Sequence, residues 1–163
     1  MFSLIKEKEF PVDLVVLWCD GSDPAFIQSR EAWAARCGQK GSSANASARF
    51  VQSDELRYML RSVEENAPWI RYVWLVTNGQ LPQWINLECP KLKWVRHSDF
   101  MPREVLPTFN SIAIEISLCN IEHLSEHFLL ANDDTFVWKK IGKDFFFPSQ
   151  GMVYNFYQPA SWL

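Results

Sequence analysis

Four short apolar runs in this chain each stop at a polar cluster: "DLVVLW" gives way to "CDGSD", "YVWLV" to "TNGQ", "LKWVR" to "HSD" and "FLLA" to "NDD". Runs of this length and composition suit strands buried on both faces, and Asp, Asn and Gly are the residues that end them in turns. The strands are placed at residues 12–18, 72–77, 92–97 and 127–131, with 135–138 continuing the fourth beyond its acidic tip. Helical patterns separate them. Leu56, Met59, Leu60 and Val63 recur at i, i+3, i+4 and i+7, with Ser53 set to cap and Asp54 and Glu55 in the first turn. Residues 25–37 and a later stretch with Ile112, Ala113 and Ile116 on one face complete the alternation. Strand alternating with helix specifies an α/β fold, a mostly parallel sheet with helices on both faces. In such sheets the ligand crevice lies outside the carboxyl ends of the strands, so the four polar clusters share the edge where a site forms.

The chain has 163 residues, enough for one domain with a core. A net charge of −3 supplies no long-range field for a nucleic acid or an anionic membrane, so an anionic substrate has to be gripped locally, by a metal or by individual arginines. No apolar run approaches the length of a membrane span, and "MFSLIKEKEF" is charged where a signal peptide would be apolar. No integral membrane segment and a cytoplasmic location are therefore expected. Cys19, Cys37, Cys89 and Cys119 form no C-x-x-C pair and are expected as buried free thiols. Aromatic residues make up 15% of the chain, which fits a core of large rings, a carbohydrate-facing surface, or a surface covered by a further segment. "GQKGSSANASA", residues 38–48, reads as a mobile loop, and its Asn45-Ala46-Ser47 sequon matters only in a secreted protein. No P-loop, dinucleotide fingerprint or nucleophile elbow is present, which argues against those three enzyme classes.

Each polar cluster has a chemical and a structural reading. Asn132-Asp133-Asp134 presents carboxylates to a divalent cation on a diphosphate, or is a surface turn. Asp20 and Asp23 flank Gly21 and Ser22 in a loop fit for a nucleotide or a proton transfer, and Asp23 before Pro24 equally reads as a helix cap; both can hold at once. Arg57 and Arg61, one helical turn apart, could face one phosphate or pair with Glu64 and Glu65. His97 at a strand end is a base, a phosphate ligand or a structural residue. His123 and His127 lack an H-E-x-x-H pattern and are discounted as a zinc pair.

The blocks "DLVVLWCDGSDP", "DELRYMLRSVEENAPWIRYVWLVTNGQLPQWI", "HSDF", "LPTFNSIAIEISL" and "LSEHFLLANDDTFV" together resemble the first two conserved regions of the Stealth family. That family includes bacterial capsular polysaccharide phosphotransferases and the animal lysosomal-enzyme N-acetylglucosamine-1-phosphotransferase. The resemblance implies a Rossmann-like fold related to the GT-A glycosyltransferases, with residues 1–163 as the N-terminal part of a longer catalytic domain. The fold is then expected to be incomplete and to partner the missing C-terminal half, which would cover the aromatic stretch 144–163. The implied reaction moves a hexose- or N-acetylhexosamine-1-phosphate from a UDP-sugar donor to a hydroxyl of a glycan or polysaccharide acceptor, with Mg2+ or Mn2+. Carried over by motif, Asp20, Asp23 and His97 are the catalytic candidates, and Asp133 and Asp134 the metal ligands. Trp18, Gly21, Ser22, Arg57, Asn78, Gln80, Asn110, Ser111, Glu115 and Asn132 are the candidate substrate contacts. Cys19 stands where the family usually has valine, a harmless size match. Asn78 replaces an aspartate, which removes a negative charge from the pocket edge. Two other expectations remain open: a GT-A-type glycosyltransferase, and a catalytically inactive nucleotide-sugar-binding module.

Overall fold

A computed structural model describes residues 10–38 and 53–148. The sequon, the loop from residue 39 on, and the aromatic stretch beyond 148 lie outside the described residues. The strands are β1 (Asp13–Leu17), β2 (Val73–Thr77), β3 (Leu92–Arg96) and β4 (Phe128–Asn132). The helices are α1 (Pro24–Arg36), α2 (Glu55–Asn66), α3 (His97–Phe100) and α4 (Ser111–Ser117). The strands form one all-parallel sheet in the order β3-β2-β1-β4, the Rossmann-like α/β arrangement that the alternation specifies. Leu17 at the end of β1 lies opposite Val76 on one side and Asn132 on the other. The chain winds outward from β1 to β3 and then returns to the far side of β1. The reversal therefore falls between the tips of β1 and β4, where a parallel sheet opens a crevice.

Side chains on a strand alternate between faces, and β1 is apolar on both. Leu14 and Val16 join Leu75 of β2 under Leu56, Met59 and Val63 of α2. Val15 points the other way, with Trp74 and Val76, onto Phe100, Met101, Ile114, Leu118 and Ile121. Each large side chain taken out of water here stabilises the fold by about 1.5–3 kcal/mol. The helices therefore lie on opposite faces of the sheet, and β1 is the layer they share.

At the opposite end of the sheet from the polar tips, β1 begins on a buried carboxylate. Asp13 is fully buried, and Arg71 meets it with Nη2 2.6 Å from Oδ2 and Nε 2.8 Å from Oδ1. Trp74 Nε1–H (2.9 Å) and the Ser125 N–H (2.9 Å) also donate to it. Burial pushes this carboxyl upward, but the hydrogen bonds from Arg71, Ser125 and Trp74 outweigh it and hold the pKa below the ordinary carboxylate value. One side chain thus ties β1 to β2 and to the segment that enters β4.

Four local expectations are corrected. Ser53 does not cap α2: Asp54 is the cap residue, with left-handed φ of 61°, and the Glu55 carboxylate turns back to accept the Ser53 N–H at 2.6 Å. In α4 the inward residues are Ile114 and Leu118, while Ile112 and Ile116 are 63% and 73% exposed. The set 114, 118, 121 runs on past the seven-residue helix and joins the core on that face of the sheet. Residues 135–138 are not a strand. Their backbone bonds α2 instead: Val137 N–H donates to Ser62 Oγ (3.0 Å), and the Val137 carbonyl accepts from Asn66 Nδ2 (2.6 Å). The cysteines are free, but Cys37, Cys89 and Cys119 are exposed and only Cys19 is partly buried.

Replacing Asp13 by Ala takes the acceptor from the Arg71 guanidinium and from three N–H donors, those of Tyr72, Trp74 and Ser125, so urea denaturation should show a loss of about 3–5 kcal/mol. A loss below about 1 kcal/mol would mean the cluster does not hold the strands together.

Candidate functional site

The four tips do converge, and the reason is local. Beyond β1, Trp18 N–H bonds the Val76 carbonyl at 3.0 Å, so the chain stays beside β2 for one more residue. Gln80, from the turn after β2, then latches the next loop. Its Oε1 accepts the Asp20 N–H (2.9 Å), and its Nε2 donates to the Asp20 carbonyl (3.2 Å) and to Asp23 Oδ2 (2.7 Å). The turn that carries Gln80 needs a glycine at Gly79, whose φ is +113°. Asn78 Oδ1 accepts the Gln80 N–H at 3.3 Å, a task an aspartate could perform equally. A carboxylate at this position would hold the same turn and add a negative charge at the edge of the cleft.

Both carboxylate oxygens of Asp23 bond the scaffold. Its Oδ1 accepts the Ala25 N–H at 2.9 Å and caps α1, while its Oδ2 holds Gln80. The Gln80 amide and then the Ala25 N–H lower its pKa. Asp20 Oδ1 accepts both the N–H (2.9 Å) and the hydroxyl (2.6 Å) of Ser22, and Gly21 is buried beneath them.

Beside this loop, at the reversal point of the sheet, lies a cleft of ≈ 220 Å³. Leu17, Trp18 and Cys19 come from the β1 tip, Asn78 from β2, His97 from β3 and Asp133 from β4. Thr108, Phe109, Ser111 and Ile114 close it from the α4 side, and Phe26 of α1 meets Phe109 edge-to-face at 5.5 Å. His97 opens α3 directly after β3. That helix is fixed by Asp99, which accepts the Arg96 N–H at 2.9 Å and pairs with the Arg96 guanidinium at 3.0 Å. Burial lowers the His97 pKa to about 4, so the imidazole is uncharged at neutral pH. Burial raises the Cys19 thiol to about 11; Asp133 and then Asp20 push it the same way, and Arg30 opposes them.

Trp18, Asn78, His97, Ser111 and Asp133 thus meet in one cleft. Asp20, Gly21, Ser22, Asp23 and Gln80 build the loop next to it. Asn132 ends β4 and its carbonyl accepts the Thr135 N–H, which turns the chain behind the exposed Asp134. Asn110 caps α4 by accepting the Ile112 N–H at 3.1 Å, and Glu115 is partly buried in the middle of that helix. Arg57 lines a separate surface pocket with Trp84.

Sequence reasoning missed Arg30, a buried cation of α1 close enough to the Cys19 thiol to oppose the two carboxylates. It also missed the Phe26–Phe109 wall. The signal was present: Phe26 and Arg30 are one turn apart on the helix that follows the acidic loop, so they share a face.

Among the described residues no group of three or more His, Cys, Asp or Glu side chains could hold a metal, so a closed cage of the zinc type does not fit. One or two carboxylates at the mouth of a cleft do fit magnesium or manganese on a diphosphate, because phosphate oxygens and water complete that shell. Among the described residues no helix is long and apolar enough to cross a membrane.

Residues 49–155 match the family model described as Stealth protein CR2, conserved region 2. An exopolysaccharide phosphotransferase of Streptomyces coelicolor is 48% identical over 159 residues, 97% of this chain and 27% of that protein. A capsular polysaccharide phosphotransferase of Streptococcus thermophilus is 40% identical over 139 residues, 85% of this chain and 58% of its own. An exopolysaccharide phosphotransferase of Lactiplantibacillus plantarum is 38% identical over 151 residues, 93% of this chain and 43% of its own. The chain therefore spans between about a quarter and three-fifths of these relatives' lengths.

The lowered His97 pKa sets a pH response. Between pH 6.5 and about 4 the unfolded chain binds a proton that folded His97 does not, so stability falls as pH falls through that window. Urea unfolding of the wild type and His97→Gln across this range should differ by roughly 1–3 kcal/mol in their pH-dependent loss, the glutamine variant losing less. Equal pH profiles would show that His97 is not buried as an uncharged base.

Proposed function

The chain belongs to the Stealth family, and from that premise we propose that it supplies the donor side of a sugar-1-phosphate transferase acting in capsular or exopolysaccharide synthesis. The donor is a UDP-sugar carrying a hexose- or N-acetylhexosamine-1-phosphate, and the acceptor is a glycan hydroxyl. The observation that carries the reading is the meeting of four strand tips in one cleft that combines a carboxylate, an uncharged imidazole and aromatic walls. A volume of ≈ 220 Å³ is below the roughly 300–1,000 Å³ of an enclosing ligand site, which suits a donor held at one end.

Asp133 at the cleft, with Asp134 beside it, would hold Mg2+ or Mn2+. When bound, the cation neutralises negative charge on the diphosphate as the bond to UMP breaks. The Trp18 and Phe109 rings line the cleft, and Asn78 and Ser111 offer hydrogen bonds to the donor. His97 borders the cleft and is uncharged at neutral pH; burial alone leaves it a weak base with a pKa of about 4, and the negative diphosphate of a bound donor would raise that pKa toward the range in which the imidazole takes the proton of the attacking hydroxyl. Asp20, first choice as base from the sequence, has one carboxylate oxygen committed to Ser22 and serves better to shape the loop. The acceptor oxygen then bonds to phosphorus, the phosphorus–oxygen bond to UMP breaks, and a phosphodiester remains.

Calorimetric titration with UDP-N-acetylglucosamine or UDP-glucose in the presence of Mg2+ should give binding that Asp133→Ala weakens about tenfold or more, equivalent to at least ~1.4 kcal/mol. On turnover, UMP should appear in the medium. Release of UDP would mean attack at the anomeric carbon and a glycosyltransferase instead. Tight binding without turnover would identify a nucleotide-sugar-binding module.

A further inference from the structure

Four arginines in the described residues illustrate two kinds of use. Arg71 and Arg96 are bound to carboxylates, at 2.6 Å to Asp13 and 3.0 Å to Asp99. Arg57 and Arg61 are not held this way. Arg57 lies over the Trp84 ring at 4.8 Å and reaches Asp54 only at 3.6 Å, a partly exposed pair of the kind that contributes little. Arg61 lies over Tyr58 at 5.9 Å, and among the described residues it has no ion pair. Glu64 and Glu65, the acids that could have neutralised the two, form no ion pair with either. Two cations one turn apart are thus positioned by aromatic faces, with their donors still available.

They line a surface pocket of ≈ 330 Å³ with Leu60, Glu64 and Trp84. Leu60, Glu64 and Trp84 are also a wall of a second hollow, an apolar trough of ≈ 310 Å³ that continues over Val63, Ile70 and Ile85. Trp84 is therefore a ridge with cations on one side and an apolar floor on the other. A sugar ring has a C–H face that packs on an indole and hydroxyls that Glu64 can accept. A carboxylate or phosphate on that sugar is what paired guanidinium groups recognise. A net charge of −3 opposes generic attraction of polyanions, so recognition must be local, as it is here.

We propose that Arg57, Arg61 and Trp84 form a subsite for an anionic group on the glycan acceptor, with the neighbouring sugar ring in the trough beyond Trp84. The inference rests on the glycan phosphotransferase reading for the identity of the ligand, and on this surface alone for its chemistry. The subsite is built on α2 and the segment after β2, separately from the donor cleft, so acceptor and donor are gripped by different elements.

Calorimetry on the full chain tests it with three probes: a tetrasaccharide of alternating hexuronate and N-acetylhexosamine, the neutral N-acetylglucosamine tetrasaccharide, and tetraglutamate. The anionic glycan should bind at least about tenfold more tightly than either of the others, and Arg61→Gln should erase that preference, since a charge-assisted contact has about this value. Arg61→Lys should restore part of it. UDP-sugar binding should be the same in wild type and Arg61→Gln. Equal binding of neutral and anionic glycans, or tetraglutamate binding as tightly as the anionic glycan, would overturn the subsite. So would an Arg61→Gln defect of equal size toward UDP-sugar, which would make this a donor contact. If UDP-sugar fails to bind while the anionic glycan preference and its loss in Arg61→Gln persist, the subsite stands and the donor reading falls.

Discussion

The architecture depends on β1 being buried on both faces and anchored at its base by a carboxylate. Its side chains feed two separate cores, one under α2 and one under α4, so neither helix could be repositioned without disturbing the same strand. The Asp13 cluster fixes where that strand starts relative to β2 and to the approach to β4. A one-residue slip of β1 would exchange the two cores and move Trp18, Cys19 and Asp20 out of line with Asp133. Ordinary packing at one end of the sheet thereby sets the geometry of the polar groups at the other.

At the polar edge the loops are held in place by hydrogen bonds among their own side chains. Gln80 and Asp23 spend their hydrogen bonds on the loop, and the Arg96–Asp99 pair spends its own on α3. The cleft beside them is lined by Trp18, Asn78, His97, Ser111 and Asp133. Cys19 lines the same cleft, and burial, then Asp133 and Asp20, raise its thiol pKa against the opposing charge of Arg30.

Much of this was written in local sequence. Short apolar runs ended by turn residues specify strands whatever surrounds them, and the alternation with helices then forces a parallel sheet and a single functional edge. The family blocks added roles that spacing could not. What local pattern could not reveal was decided by tertiary competition. The inward face of α4 followed the apolar positions beyond the helix, through Leu118 and Ile121, rather than those at its start. Residues 135–138 have strand-like composition, but Ser62 and Asn66 of α2 offered their backbone better partners than a sheet edge did. Arg30 shares a face of α1 with Phe26, a mark the sequence does carry, but only the folded chain buries it and places it near the acidic loop.

The latch at Gln80 has a consequence of its own. It works as acceptor through one atom and donor through another at once, which a glutamate could not do and an amide does without any proton changing hands. The two bonds between the Gln80 amide and the Asp20 backbone therefore do not depend on a proton, and of the three only the bond to Asp23, whose pKa is lowered, needs a charged partner. Negative charge at the mouth of the cleft, on Asp133 and Asp134, is thereby carried by groups that take no part in the latch that shapes the frame.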